Sequence, residues 1–179
     1  MKNREEVYKI TAILLMMDQI IKLWVNHFME LYDEIKVIPH FFSIHYVKNT
    51  GAAFSILEDS TILLSIISVI VILVIHKILK EEKTLSKQKV LSYGCILGGI
   101  FGNLIDRIIH HGVIDYLSFQ FGKYAFPIFN FADISIVCGV LLMILILLRE
   151  KETGDQNETN RNVQKVLSKR KSRTHKKNQ

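Results

Sequence analysis

Three aspartates stand in or beside apolar sequence in the stretch GGIFGNLIDRIIHHGVIDYLSFQFGKYAFPIFNFAD, which runs from Gly98 to Asp133. Asp106 lies inside an apolar run, Asp115 just beyond it, and Asp133 opens the next run. An ionised side chain in hydrocarbon costs at least about 2.5 kcal/mol, so an acid inside such a run marks a functional position by default. Two carboxylates brought together by a hairpin of helices cannot both ionise easily. They share one proton and can activate a water between them, which is aspartyl-protease chemistry.

Other polar residues recur at helical spacing around these acids. Asn103, Asp106 and Arg107 form an i, i+3, i+4 set whose side chains meet on one helix face. Arg107, always charged, suits either gripping a carbonyl or steadying Asp106. Asn130 and Asp133 are three apart, so Asn130 is a candidate N-cap accepting from the Asp133 backbone N–H. Asp133 then falls in a first turn, where the helix dipole favours negative charge. Asp18 and Lys22, four apart, can form an intrahelical ion pair or support a site. Asn49, Asn103 and Asn130 can donate to peptide carbonyls or orient the acids.

Metal chemistry has little to stand on. His110 and His111 are neighbours whose side chains point apart on a helix, which is poor geometry for one ion. Cys95 and Cys138 lie in apolar runs and read as small core residues. No Cys/His spacing suggests a zinc site, so neither metal nor cofactor is expected.

The elements that must carry these residues are four apolar segments, at about 8–28, 60–79, 90–109 and 131–148. Each is near the length that crosses a bilayer. The first is interrupted by Asp18, Gln19 and Lys22, and no small-residue cleavage site follows it, so it reads as a retained span rather than a signal peptide. Lys and Arg counts orient the spans. The N-terminus, the 77–89 connection and the tail hold 18 of the 23 basic residues. Both termini and the middle loop are therefore expected in the cytoplasm, and 29–59 and 110–130 outside.

The third span climbs outward from Val90 at 1.5 Å per residue, which places Asp106 about 24 Å along. Asp115 and Asp133 are delivered to the same outer side, joined by a loop over 116–130. Gly94, Gly98 and Gly102 form a small-residue ridge on the third span, expected to let a neighbouring helix pack closely. In the outer segment 33–57, KVIPHFFSIHYV is rich in β-branched and aromatic residues and predicts strands, with Pro39 at an edge or strand start. AAFSIL after Gly51 predicts a short interfacial helix. The fold class expected is an all-α polytopic membrane protein of four transmembrane helices with a small extracytoplasmic β-sheet segment.

Charge divides the chain. Residues 1–148 carry 13 basic and 13 acidic side chains, whereas 149–179 carry ten basic against four acidic, so the net charge of +6 belongs to the tail. The 1–148 body is thus one membrane domain, and 149–179 reads as a disordered basic cytoplasmic tail able to meet anionic lipid. No basic face with stacking aromatics accompanies the charge, so nucleic acid is not an expected partner. An ion- or proton-coupled transporter would also hold intramembrane Asp and Arg, but usually with more spans and an internal repeat.

The motifs YVKNTGAAFSIL (46–57), GNLIDRI (102–108), VIDYL (113–117) and FNFADI (129–134) resemble those of lipoprotein signal peptidase, or signal peptidase II, in order and spacing. The resemblance covers nearly all of 8–148. His40 stands where the family commonly has Gly, and His45 where it often has Thr, which bears on the local geometry of the outer strands. The resemblance implies a bacterial inner-membrane aspartyl endopeptidase, active toward the outer face, that cleaves diacylglyceryl-modified prolipoproteins just before the lipidated Cys. It implies a catalytic pair at Asp115 and Asp133, with Asp18, Lys22, Asn49, Asn103, Asp106, Arg107 and Asn130 in support. Lipidated prolipoproteins and membrane lipids are the implied partners, globomycin the implied inhibitor, and a monomer the expected state.

Overall fold

A computed structural model describes residues 2–51, 60–82 and 84–152. Four long helices carry most of them: α1 (Lys2–Phe28), α2 (Thr61–Glu81), α3 (Lys87–His110) and α4 (Phe131–Glu152). α1 starts earlier than the apolar run alone suggests, because its charged first turns sustain the helix. Lys9 pairs with Glu6 one turn back at 3.0 Å. α4 likewise continues to Glu152, past the boundary expected at 148. α3 is N-capped by Ser86, whose hydroxyl accepts from the Lys89 backbone N–H, and ends where His111 turns left-handed. Arg4 closes the far end of α2 by donating to the carbonyls of Lys80 and Glu82.

α2 and α4 are each long and apolar enough to cross a membrane. α1 and α3 do not reach that average, since their buried faces carry Asp18, Lys22, Asn103 and Asp106. Their outward faces are apolar all the same, with Ile13, Met16, Ile20 and Leu23 of α1 exposed.

The sheet extends beyond the strands expected in 33–57. Strands β1 (Glu34–Ile38), β2 (Phe42–Asn49), β3 (Val113–Phe121) and β4 (Tyr124–Ala125) run antiparallel in that order. The expected loop over 116–130 is thus corrected: most of its first half is strand. VIDYLSFQF has the β-branched and aromatic content of a strand, and Gly122–Lys123 supplies the turn, with Gly122 at φ 62°. Pro39 lies in the turn after edge strand β1, and His40 there takes φ 60°, the conformation for which Gly is the usual choice. The interfacial helix expected of AAFSIL and the tail beyond 152 lie outside the described residues.

The sheet is anchored to the end of α1 by Val25, Met29, Tyr46, Ile114 and Tyr116, all buried together. Tyr46 satisfies its hydroxyl by donating to Asn26 Oδ1 at 2.7 Å. The glycine ridge of α3 packs on α1 as expected. A Cβ added at Gly98 would lie 2.9 Å from Leu14 Cβ, and one at Gly102 would collide with the Asp18 carboxylate. A second small face went unread in the sequence: Gly99 lies against the carbonyl of Ala132 in α4. These contacts bring three helices close enough for short side chains to bridge them.

Candidate active site

β3 presents Asp115 where its strand meets the helices. Register does part of the work: Val113 pairs with Asn49 and Asp115 with Val47, so Asn49 is the diagonal neighbour of Asp115. Asn49 Nδ2 donates to Asp115 Oδ2 at 2.9 Å. The other carboxylate oxygen accepts from Asn130 Nδ2 at 2.7 Å. Asn130 is delivered there because Phe129 bonds both ways with Leu117, pinning the incoming chain to β3 just before α4 begins.

Asn130 is also the N-cap that the spacing predicts. Its Oδ1 accepts from Asp133 N at 2.9 Å, and Asp133 Oδ2 accepts in return from Asn130 N at 3.2 Å. This reciprocal pair is a capping box with Asn and Asp in place of Ser and Glu. The next two donors of the helix end are taken from elsewhere in the fold. Phe131 N donates to the Tyr116 hydroxyl from β3, and Ala132 N to Asp18 Oδ1 from α1. The open N–H groups of α4 are thereby met by three separate elements, a role for Tyr116 and Asp18 that spacing along the sequence does not reveal.

Lys22 lies at the centre of the buried support, 2 % exposed. Its ammonium is 2.9 Å from Asp18 Oδ2 and 2.8 Å from Asp106 Oδ2, and it donates to Asn103 Oδ1 at 3.0 Å. The Asp18–Lys22 pair follows from the i, i+4 spacing. Asp106, however, takes Lys22 as its ion-pair partner rather than its chain neighbour Arg107, because the close α1–α3 approach puts the lysine nearer. Breaking such a buried pair from one side costs about 3–5 kcal/mol, since a bare charge is left behind.

Lysine only donates, so Asn103 must turn its oxygen toward Lys22. That fixes its amide nitrogen toward Asp133, where Nδ2 donates to Oδ1 at 2.8 Å. Asn103 Oδ1 also accepts from Asn130 Nδ2 at 3.1 Å, so one unbroken network joins Lys22 to both Asp115 and Asp133.

Asp115, Asp133, Asn49, Asn103 and Arg107 line a cavity of about 270 Å³. Phe126, Pro127, Ile128, Phe129, Ile136 and Val137 form its apolar wall. Asn130, Asp18, Lys22 and Asp106 stand behind this lining. Burial pushes the Asp115 carboxyl up to about 7, and repulsion from Asp133 adds to it, against the lowering effect of the two amide donors. A carboxyl that holds a proton near neutrality and a second carboxyl on a helix N-terminus thus face one cavity, an arrangement able to supply both an acid and a base.

A family model described as signal peptidase (SPase) II matches residues 10–149. A lipoprotein signal peptidase of Halothermothrix orenii is 41% identical over 150 residues, covering 83% of this chain and 99% of that one. One from Maridesulfovibrio salexigens is 37% identical over 147 residues, covering 79% and 94%. Two solved structures, both described as a bacterial membrane enzyme determined by the in meso method, are also similar. The first, at 2.3 Å resolution, has a TM-score of 0.75 and 30% identity over 81% of this chain and 88% of its own. The second, at 1.9 Å, has a TM-score of 0.71 and 31% identity over 79% and 92%.

Proposed function

The chain belongs to the signal peptidase II family of bacterial membrane peptidases, and from that premise we propose that it is an aspartyl endopeptidase that cleaves lipid-modified prolipoproteins before the lipidated Cys. The observation that carries the proposal is the placement of Asp115 and Asp133 on one cavity with the proton affinity of Asp115 raised to about 7.

In the mechanism proposed, Asp133 is the base and Asp115 the acid. Asp133 takes a proton from a water as its oxygen attacks the scissile carbonyl carbon. Asp115 gives its proton to the carbonyl oxygen, so a neutral tetrahedral diol forms and the two acids have exchanged roles. Collapse of the diol returns a hydroxyl proton to Asp115, breaks the C–N bond, and passes the proton on Asp133 to the leaving amine. Each acid ends as it began. Arg107 on the cavity wall is suited to holding a substrate carbonyl. The apolar wall suits the acyl chains and apolar signal residues of the substrate, and globomycin is expected to occupy the same cavity.

The cavity is supported by four spans in this reading, with both termini cytoplasmic and the sheet outside. α2 and α4 qualify by length and composition. For α1 and α3 the support is their exposed Ile, Leu and Met faces, far more apolar surface than a water-facing monomer usually shows. The test is cleavage of a lipidated prolipoprotein in detergent. Asp115→Asn and Asp133→Asn should each lower kcat by at least about a thousandfold, and the double variant should be scarcely worse than either. Substantial turnover in either single variant would assign the chemistry to another pair.

A further inference from the structure

Asp18 and Asp106 do the same thing at two places. Asp106 Oδ2 accepts from the backbone N–H of Ile114, the residue before Asp115, at 3.1 Å. Asp18 Oδ1 accepts from the backbone N–H of Ala132, the residue before Asp133, at 3.0 Å. The two carboxylates are joined to each other by Lys22, which pairs with both. Gln19 joins them again: its Nε2 donates to Asp106 Oδ1 at 3.1 Å and to Asp18 Oδ2 and the Gly102 carbonyl at 3.3 Å. None of these four side chains lines the cavity.

We propose that Asp18, Gln19, Lys22 and Asp106 form a clamp of positioning residues that sets the separation of Asp115 and Asp133 by gripping the backbone just before each. This rests on the reading of Asp115 and Asp133 as the reacting pair. It assigns Gln19 a role and makes Asp18, Lys22 and Asp106 holders of geometry rather than binders of substrate. Two acids that repel each other drift apart when released, and a shared proton needs them close. Each grip is one hydrogen bond on a rigid amide, so slack in the clamp passes directly to the carboxyl one residue away. Among the described residues, the charged groups facing Asp115 are Asp133 from α4, Arg107 from α3 and Lys22 from α1. Gln19→Leu changes none of these charges.

The test compares Gln19→Leu, Asp106→Leu and Asp106→Asn with the wild type, each shown folded by its melting curve in detergent. Misplacement by an ångström costs about a hundredfold, so Asp106→Leu should lose about that in kcat, and Gln19→Leu, which leaves the ion pairs, about tenfold. KM should stay within about twofold, because the cavity lining is untouched. Asp106→Asn keeps an oxygen for the Ile114 N–H and should recover most of the kcat that Asp106→Leu loses. A second measurement does not need turnover: the infrared band of the protonated Asp115 carboxyl, identified by its loss in Asp115→Asn. In Gln19→Leu and Asp106→Leu its titration midpoint should move down from that of the wild type as the acids separate. Unchanged kcat and unchanged midpoint in Gln19→Leu, or a loss confined to KM, would overturn the clamp. A wild type that fails to cleave the lipidated substrate would instead sink the proposed activity, while the carboxyl titration would still decide the clamp.

Discussion

The side-chain amide of Asn130 lies 2.7 Å from Asp115 Oδ1, while the carbonyl of the same side chain caps the helix whose first turn holds Asp133. One short residue thus touches both candidate acids through opposite ends of its amide. Its rotation is fixed by that double engagement. Asp115 on β3 is thereby tied directly to the first turn of α4, which holds Asp133.

The raised proton affinity of Asp115 fixes a pH dependence. Under the proposed mechanism, cleavage should fall as pH rises through about 7, where Asp115 gives up its proton. Folding stability moves in the same direction. With the native carboxyl at about 7 and the ordinary value at 3.8, the native state binds the extra proton between them. The stabilisation is full below 3.8 and is lost as pH rises to about 7. Asp115→Asn has no such proton to lose, so its melting temperature should exceed that of the wild type by an amount that grows from pH 4 to pH 8. A gap that is constant across that range would show Asp115 to be ordinary.

Gly102→Ala tests the close packing of α1 and α3. The new Cβ has to displace the Asp18 carboxylate, which grips Ala132 N and Lys22. Overpacking typically costs about 1–3 kcal/mol, and here the strain falls on the support of Asp133. Activity per folded molecule should drop along with melting temperature. Full activity in the alanine variant would show that Asp18 has room to yield.

Orientation is open to labelling. With Cys95 and Cys138 replaced by Ser, single cysteines at Ser86 and Ser118 should react with membrane-impermeant reagents from opposite sides. Ser86 caps α3 at the end expected inside, and Ser118 lies in β3 at the end expected outside. Equal reactivity from one side would overturn the four-span topology.

Truncation after Gly154 removes most of the basic tail but spares α4, which ends at Glu152. Proteolysis in detergent should persist within about twofold, since the family match ends at residue 149. A truncated enzyme that folds but cannot cleave would give the tail a part in catalysis.

Long continuous apolar runs made α2 and α4 legible, and α1 and α3 were legible despite the polar residues that interrupt their runs. The asparagine cap at 130 was legible too, as capping acts over three residues. β3 was not, although VIDYLSFQF carries strand-forming residues, because its partner β2 lies far back in the chain and pairing leaves no local mark. The Lys22–Asp106 contact was hidden for a related reason. Arg107 is the nearer cation in sequence, and only the glycine-lined approach of α3 to α1 reverses that order in space. Gln19 reads as an interruption of an apolar run until its neighbours on α3 are known.

Both hydrogen bonds between Phe129 and Leu117 close a loop of chain on itself. The turn of β3–β4 and the Phe126–Pro127–Ile128 wall hang from that closure, while both acids lie outside it. Residues can therefore be added or removed at the Gly122–Lys123 turn, and the apolar wall recontoured, without shifting the two candidate acids, whereas Ser118 and Phe119 are held by their pairing with β2. The fold thus separates a replaceable lip from the two candidate acids, so differences in the substrates accepted should be concentrated between residues 122 and 128.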